Sequence, residues 1–352
     1  MTGGRPQRET GRVNPFPSPV RDSIVIGLMG PTGVGKTAVA MALAVRLGVR
    51  VISCDSMQVY QGFRVLTNQP TAAEIQAVPH ELVGFVEPTR TFSAGEYVAV
   101  AHPLVEEDVS AHGVALVSGG TGLYMRALLA PLEMAPRGDQ AIRRRLETRL
   151  AEEGLQALCD ELRRCDPAAA EAVDELNPRR VLRALEAIEA TGRSWSGRDD
   201  LWHPAYYRPT LIVALALDRE QLYRRIDARA EEIVTGGGVD EVRRFLEERE
   251  RASSPHPDGE SAGPKVGGDA GIYCAIGFRE IARYLSGEQS REQTVSQVAA
   301  ATRRYARRQS TWLRKLRDAV IIDVRDRKAE EVAARIYALV QSGEQTREPR
   351  RP

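Results

Sequence analysis

Short apolar segments alternate with helix-forming segments along much of this chain. Four apolar runs rich in branched side chains indicate strands, at Ser23–Met29, Arg50–Ser53, Val114–Ser118 and Leu211–Leu217. The segment Thr37–Leu47 follows the first of them, consists of helix-forming residues and stops at a glycine. Because strands and helices follow each other in turn, the pattern predicts an α/β fold with a parallel sheet.

The pattern changes between the third and fourth predicted strands. Strand patterns vanish over residues 137–202, where Arg, Glu, Leu and Ala recur at helical spacing, as in Ile142–Leu150 and Val181–Ala190. This segment predicts a helical insertion that divides the core into residues 22–136 and 203–330.

Three further segments are polar or rich in Gly and Pro. We expect residues 1–21 to form a disordered tail, residues 251–271 a flexible surface loop and residues 340–352 a frayed terminus. The chain of 352 residues is long enough for about two domains.

Composition indicates the cellular compartment of the protein but says little about its function. The formal net charge is +1, so the total charge says nothing about partners. The four cysteines form no C-x-x-C pair, which argues against a disulfide framework or a zinc site and favours a reducing cytoplasm. No apolar run approaches the length of a membrane span, and no apolar stretch follows Arg5 and Arg8 as it would in a secretory signal. We therefore expect a cytoplasmic protein with no membrane partner.

Residues 30–37 fit G-x-x-x-x-G-K-[ST], the pattern of a phosphate-binding P-loop. A strand precedes them and a helix follows, and this context distinguishes the motif from a chance glycine-rich turn. Backbone N–H groups would face phosphate oxygens, Lys36 would add a positive charge, and the Thr37 hydroxyl could ligate Mg²⁺. The motif therefore predicts a P-loop NTPase-like core, but NTPases, kinases and diphosphate-using transferases all share it. The candidate phosphate contacts are Gly30, Pro31, Thr32, Gly33, Val34, Gly35, Lys36 and Thr37.

Polar groups also follow the second and third predicted strands. Asp55 follows Arg50–Ser53, and Gly119-Gly120-Thr121-Gly122 follows Val114–Ser118. Since ligands bind beyond the carboxyl ends of strands in open α/β sheets, we expect both groups to face the bound phosphate. Alone, Asp55 could be a turn residue or a helix N-cap, but its position beside a P-loop favours a role in the site. Asp218, after the fourth predicted strand, keeps a kinase or ATPase open because it could place Mg²⁺.

A basic amphipathic segment lies near the end of the chain. Residues 303–317 include seven basic and no acidic side chains, and the basic ones fill about half of a helical wheel. We expect the other side of this helix to face the core with Tyr305, Trp312 and Leu316. A stripe of unneutralised charge favours contact with nucleic acid over a solvated face. On another predicted helix, Arg225 and Arg229 could clamp phosphate oxygens or simply be solvated.

Longer motifs span most of the chain. They are GPTGVGKT (30–37), DSMQVY (55–60), VPHELV (78–83), SGGTGLY (118–124), NPRRVLRALE (177–186), RRIDARAEEIVTGGGVDEV (224–242), AIGFRE (275–280) and ATRRYARRQSTWLR (301–314). With these motifs, in this order, the chain resembles the tRNA dimethylallyltransferases, also called tRNA isopentenyltransferases. It departs from the family at Leu66–Pro70, where G-T-A-K-P is common and where this chain lacks the lysine.

The resemblance implies transfer of a dimethylallyl group from dimethylallyl diphosphate to N6 of the adenosine on the 3′ side of a tRNA anticodon. It implies a P-loop core that holds diphosphate with Mg²⁺, and a helical insertion that contacts tRNA. Asp55 corresponds to the family's general base, and Thr32 and Arg229 to its diphosphate contacts. The expected partner is the tRNA anticodon stem-loop, and the expected assembly is a monomer. The family's tRNA-contact positions fall at Asp55, Ser56, Met57, Gln58, Thr121, Arg143, Arg179, Arg180, Arg183, Gly277, Arg279, Arg307, Arg308, Gln309 and Arg314.

Three alternatives stay open on sequence alone. One is an adenylate isopentenyltransferase that acts on free nucleotide, although the insertion and the tRNA-contact motifs argue against it. The second is a P-loop small-molecule kinase that uses Asp218 to place Mg²⁺, and the third is a non-catalytic RNA-binding P-loop protein.

Overall fold

A six-stranded parallel sheet forms the centre of the fold. The strands are β1 (Ile24–Met29), β2 (Val51–Ser53), β3 (His80–Glu81), β4 (Val114–Gly119), β5 (Thr210–Ala216) and β6 (Val320–Asp323). Their order is β3-β2-β4-β1-β5-β6, and every neighbouring pair is parallel. The predicted α/β fold is confirmed. The computed structural model describes residues 23–130, 140–192, 206–253 and 271–342.

Helices cover both faces of the sheet and build the additional layers. Those in the described residues are α1 (Lys36–Leu47), α2 (Ala72–Ala77), α3 (Ala94–His112), α4 (Gly122–Leu129), α5 (Gln140–Cys165), α6 (Pro167–Ala172), α7 (Pro178–Thr191), α8 (Arg219–Thr235), α9 (Gly238–Ser253), α10 (Phe278–Leu285), α11 (Arg291–Leu313) and α12 (Ala329–Ser342). None of these helices is both long enough and apolar enough to cross a membrane.

Alternate residues of β1 pack into two different hydrophobic clusters. Ile26 and Leu28 face a cluster that includes Leu43 of α1, whereas Val25 faces one that includes Met125 of α4. Successive side chains of a strand point to opposite faces of the sheet, so both faces of β1 are buried. This explains why the strand is an uninterrupted apolar run rather than an alternating one.

Helices α5, α6 and α7 form a unit with a hydrophobic cluster of its own, built around Leu146, Leu162 and Leu185. These helices lie within the segment for which an insertion was expected. Helix α12 packs on α1 and buries Ile336 in the same cluster as β1, so the α/β core continues beyond residue 330. The expected tail 1–21, residues 254–270 of the expected loop and residues 343–352 lie outside the described residues.

Candidate active site and nucleic-acid face

Three adjacent strands bring the polar loops together. Strand β4 lies between β2 and β1, and Met29 pairs with Gly119 while Ser53 pairs with Ser118. Because these strands end at the same level, the P-loop, the loop that begins at Asp55 and the Gly119–Gly122 loop converge at one edge of the sheet. The structure therefore brings together the three groups that the sequence placed at strand ends.

The P-loop folds around the ammonium group of Lys36. Gly33 and Gly35 adopt φ values of 83° and 100°, which favour glycine over other residues. Lys36 Nζ donates to the carbonyl oxygens of Gly30 at 2.9 Å and Pro31 at 3.0 Å. Burial lowers the pKa of Lys36 to about 8, and the charge of Asp55 opposes that shift. The predicted general base thus acts on the predicted phosphate-binding lysine.

Asp55 combines a local structural role with a place in the site. Its Oδ1 accepts hydrogen bonds from the backbone N–H groups of Met57 at 2.9 Å and Gln58 at 3.4 Å. This is the turn geometry that the residue type alone suggested. The other oxygen, Oδ2, accepts no hydrogen bond from the described residues. One oxygen therefore orients the carboxylate, and the second is available for chemistry.

The Gly119–Gly122 loop is hydrogen-bonded to the loop that contains Asp55. Thr121 Oγ1 accepts a hydrogen bond from Ser56 N at 3.0 Å, and Thr121 N donates to Cys54 O at 3.2 Å. A Cβ on Gly119 would lie 1.9 Å from Cys54 O, so only glycine allows this approach of the two backbones. The Thr121 hydroxyl, expected to contact tRNA, is hydrogen-bonded within the site.

Helix α8 brings one arginine to the P-loop and a second to a neighbouring loop. Arg225 Nη1 donates to Val34 O at 3.2 Å. Arg229 Nη2 donates to Val65 O at 2.8 Å, and its Nη1 contacts Glu232 at 2.9 Å. The buried Arg229 Nε has no hydrogen-bond partner among the described residues. Contact of Arg229 with diphosphate stays a prediction, whereas the contact of Arg225 with the P-loop backbone is observed.

Helix α11 lies across the site, and its face differs from the one expected. The helix begins at Arg291 and ends at Leu313. Trp312 and Leu316 pack against the hydrophobic core as predicted, but Tyr305 does not belong to it. Burial raises the pKa of Tyr305, the charge of Asp55 raises it further, and the side chains of Thr121 and Gln309 lie close enough to oppose the shift. Residues four apart share a helix face, so Tyr305 and Gln309 both turn toward the strand ends.

Two expected tRNA contacts are buried inside the protein. Gln309 is 7 % exposed; its Oε1 accepts from Thr32 N at 2.9 Å and its Nε2 donates to Gly120 O at 3.0 Å. Gly277 is buried at the start of α10 with φ 99°, and a Cβ there would lie 2.9 Å from Leu66 Cδ1. Their positions follow from tertiary packing, and neither presents a side chain at the surface.

The basic side chains of α11 line an open pocket of about 470 Å³ between this helix and α7. Arg307 Nη1 donates to the Tyr223 hydroxyl at 3.1 Å, and the Arg308 guanidinium lies 5.6 Å from the centroid of the Tyr305 ring. Arg303, by contrast, forms an ion pair with Asp227. The positive charge of the basic stripe is therefore neutralised at Arg303, whereas Arg307 and Arg308 line the open pocket. The residues that line the pocket are Arg180, Arg304, Arg307, Arg308, Thr311, Trp312 and Lys315.

The arginines of the insertion are divided between ion pairs and the pocket. Arg143 contacts Glu147 at 2.7 Å and Glu186 at 3.5 Å, and Arg183 contacts the same Glu186 at 2.9 Å. Arg180 lines the pocket instead. Arg179 is exposed at the start of α7, and Arg279 is exposed in the first turn of α10. Of these residues, only Arg180 shares a cavity with the basic face of α11.

Comparison with known proteins agrees with this arrangement. A family model described as IPP transferase matches residues 58–316. The chain belongs to the IPP transferase family. A tRNA dimethylallyltransferase of Anaeromyxobacter dehalogenans is 41 % identical over 298 residues, which cover 83 % of this chain and 92 % of the relative. One of Thermomicrobium roseum is 37 % identical over 301 residues, which cover 85 % of this chain and 86 % of the relative.

Solved structures of IPP transferases share the fold. The tRNA isopentenylpyrophosphate transferase of Bacillus halodurans is 32 % identical, with a TM-score of 0.62 over 91 % of this chain and 98 % of that one. A eukaryotic dimethylallyltransferase is 23 % identical, with a TM-score of 0.75 over 94 % of this chain and 82 % of that one, and supports the fold alone. The predicted family resemblance is confirmed.

Asp218, the residue on which a kinase would depend, has a structural role in this IPP transferase. Its Oδ1 accepts a hydrogen bond from Gln221 N at 2.9 Å and so caps α8, and its Oδ2 lies 3.8 Å from Arg325 Nε. The N-cap accounts for Oδ1, whereas the buried Oδ2 makes no hydrogen bond with the described residues. The kinase alternative is disfavoured by the relatives, which are tRNA dimethylallyltransferases.

Proposed function

We propose that the chain transfers a dimethylallyl group from dimethylallyl diphosphate to N6 of the adenosine on the 3′ side of the tRNA anticodon, releasing diphosphate. The observation that carries this proposal is the meeting of a P-loop with the loop that begins at Asp55, at the adjacent ends of β1, β4 and β2. A basic pocket on α11 lies on the same helix that contacts the P-loop.

The residues support a direct displacement. N6 forms a bond to C1 of the dimethylallyl group while the bond from C1 to the diphosphate oxygen breaks. The adenine amine is a weak nucleophile because its lone pair is delocalised into the ring, so Asp55 accepts the N6 proton as the bond forms. A positioned base of this kind contributes about 10²–10⁴ in rate. Negative charge grows on the leaving diphosphate, and Lys36 with the P-loop N–H groups stabilises it.

A magnesium ion would add to that stabilisation. Among the described residues, no cluster of three or more His, Cys, Asp and Glu side chains could hold a metal. The half-buried Thr37, beside Lys36 in the first turn of α1, fits the hydroxyl that a P-loop offers to Mg²⁺. We propose that Thr37 and diphosphate oxygens together would hold Mg²⁺, which supplies positive charge to the leaving group when bound.

The basic pocket is the proposed site for the RNA backbone. Arginine and lysine side chains gathered on one surface attract phosphates. The target adenosine must leave its stack to reach Asp55, which costs least in a single-stranded loop such as the anticodon loop. The described residues of one chain include both the phosphate loop and the basic face, so we propose that the enzyme works as a monomer. The four free cysteines suit a cytoplasmic setting.

The decisive test offers the protein dimethylallyl diphosphate and Mg²⁺ together with tRNA, AMP or ATP. Mass spectrometry then detects N6-prenyl adenosine. We expect product only with tRNA. Product with AMP alone would identify an adenylate isopentenyltransferase, and product with none of the acceptors would contradict a prenyl transfer.

A further inference from the structure

One buried amide joins α11 to two of the three loops of the site. Gln309 Oε1 accepts the N–H of Thr32 at 2.9 Å, and Nε2 donates to the carbonyl of Gly120 at 3.0 Å. Thr32 lies in the P-loop and Gly120 in the loop after β4, and they precede Gln309 by 277 and 189 residues. A buried side chain whose donor and acceptor are both used resists displacement, because any movement leaves a polar group unpaired.

The fit of α11 against the Gly119–Gly122 loop is close. A Cβ on Gly120 would lie 2.3 Å from Gln309 Nε2, and a Cβ on Gly122 would lie 2.5 Å from the Trp312 ring. Gln309 and Trp312 stand three residues apart and therefore share a helix face. The two glycines allow this face to reach the backbone of the loop, so α11 is in direct contact with the site.

The same helix carries the basic side chains of the pocket. Arg304 lies five residues before Gln309 and Arg308 directly precedes it, and both line the pocket with Arg180 of α7. A helix of 23 residues transmits position along its length with little deformation. The backbone that presents positive charge to RNA is thus hydrogen-bonded, through Gln309, to the loop that would hold the diphosphate.

We propose that Gln309 is a positioning residue, which sets Thr32 and the P-loop at a fixed place relative to the RNA-binding face of α11. This inference rests on the proposed function for the identity of the donor and acceptor. Its role is distinct from direct contact with tRNA, because its amide is turned inward. By holding both loops from one helix, Gln309 aligns C1 of the donor with the N6 of the bound adenosine.

The chemistry requires an amide at this position. Its oxygen faces an N–H group and its nitrogen faces a carbonyl group, so neither an apolar nor an ionised side chain satisfies both. In Gln309→Met the size is kept and both hydrogen bonds are lost. In Gln309→Glu one oxygen can still accept from Thr32, but the other faces the Gly120 carbonyl, and a negative charge is added beside the phosphate loop.

The experiment measures three quantities for wild type, Q309M, Q309E and the control R307Q. They are the Kd of inorganic pyrophosphate without tRNA, the Kd of tRNA at two salt concentrations, and kcat and KM for dimethylallyl diphosphate. For Q309M we expect pyrophosphate affinity and kcat/KM to fall about tenfold or more, the scale of a small misplacement in a site, with tRNA affinity within about twofold of wild type. Q309E should be at least as impaired. R307Q should keep pyrophosphate affinity near that of wild type and lose tRNA affinity.

Each other outcome overturns the proposal. Loss of tRNA affinity with unchanged pyrophosphate affinity would make Gln309 a tRNA contact, and no change in either would leave it without a positioning role. Melting temperatures identify a variant that fails to fold, and Gln309→Asn, which keeps the amide but is one methylene shorter, then provides the test. Pyrophosphate binding is measured independently of transfer. A wild-type protein without prenyl transfer would refute the proposed function while the Gln309 inference is still decided by this binding.

Discussion

The carboxylate of Asp55, in the loop after β2, acts across the site on the ammonium group of Lys36, in the P-loop after β1. Burial lowers the pKa of Lys36 to about 8, and the Asp55 carboxylate acts against that shift. The group that would neutralise diphosphate and the group that would accept the N6 proton are therefore neighbours. The two side chains can be substituted separately, because the hydrogen bonds that hold Asp55 in place lie within its own turn.

Asp55→Asn should cut single-turnover transfer by about 10²-fold or more, the usual scale for a lost general base. The amide oxygen of Asn can still accept from Met57 N, so the loop should keep its shape and tRNA affinity should stay near that of wild type. Rapid-quench kinetics and a tRNA binding assay measure the two effects.

Asp218→Asn is the matched control, because Asn also caps a helix and should leave transfer nearly unchanged. Near-normal transfer in Asp55→Asn would remove Asp55 from the role of base. An ATPase activity that disappears in Asp218→Asn would revive the kinase alternative.

Arg225→Gln should weaken pyrophosphate binding about tenfold, since a charge-assisted contact at the P-loop is lost. Titration calorimetry measures the Kd. Arg224→Gln is the control one residue away: Arg224 forms an exposed ion pair with Glu220, and such pairs contribute little. Equal losses in the two variants would mean that only the general positive field of α8 matters.

The triple substitution of Arg307, Arg308 and Arg314 with Gln should weaken tRNA binding most at low salt. None of the three forms an ion pair with a described carboxylate, so their charges are available to phosphates. If all three contact phosphates, the slope of log K against log salt should flatten by about two units. Pyrophosphate affinity should not change, and folding should survive because Trp312 and Leu316 remain.

Arg303→Gln controls for this triple variant, since Arg303 is already paired with Asp227. Its salt slope should stay close to that of wild type. An unchanged slope in the triple variant would show that the basic face of α11 is only solvated, and binding would then depend on the insertion.

Gly119→Ala should destabilise the fold and impair transfer together. The added Cβ would lie 1.9 Å from Cys54 O. Neither atom can rotate away as the end of a flexible side chain could, so the Asp55 loop must move. Overpacking of this kind costs about 1–3 kcal/mol. Denaturant unfolding measures the free energy, with Gly62→Ala as a control.

Gly62 has φ 79° and no atom within 4 Å of an added Cβ, so its substitution should cost only the conformational strain of about 1 kcal/mol. Transfer activity should persist in this control. Equal effects of the two substitutions on transfer would indicate that the contact between Gly119 and Cys54 does not position Asp55.

The sequence by itself determined the α/β class, the P-loop, and the convergence of its three polar loops. These features depend on local patterns: apolar runs, glycines that permit special backbone angles, and the rule that ligands bind at strand ends. The very short β3 was not predicted, because two residues carry no periodicity. Strand β6 was missed as well, since it has four residues, of which one is buried.

Only the tertiary structure decided what each face of the helices meets. A helical wheel separates the basic side of α11 from the other side, but it cannot say that Tyr305 and Gln309 turn toward the site rather than the core or the RNA. Their partners, such as Thr32, lie hundreds of residues earlier in the chain. The same holds for Gly277, whose burial depends on contact with Leu66 from a distant loop. The periodicity of the sequence determines which side of an element is apolar. Packing between distant elements decides which polar groups make hydrogen bonds inside the protein.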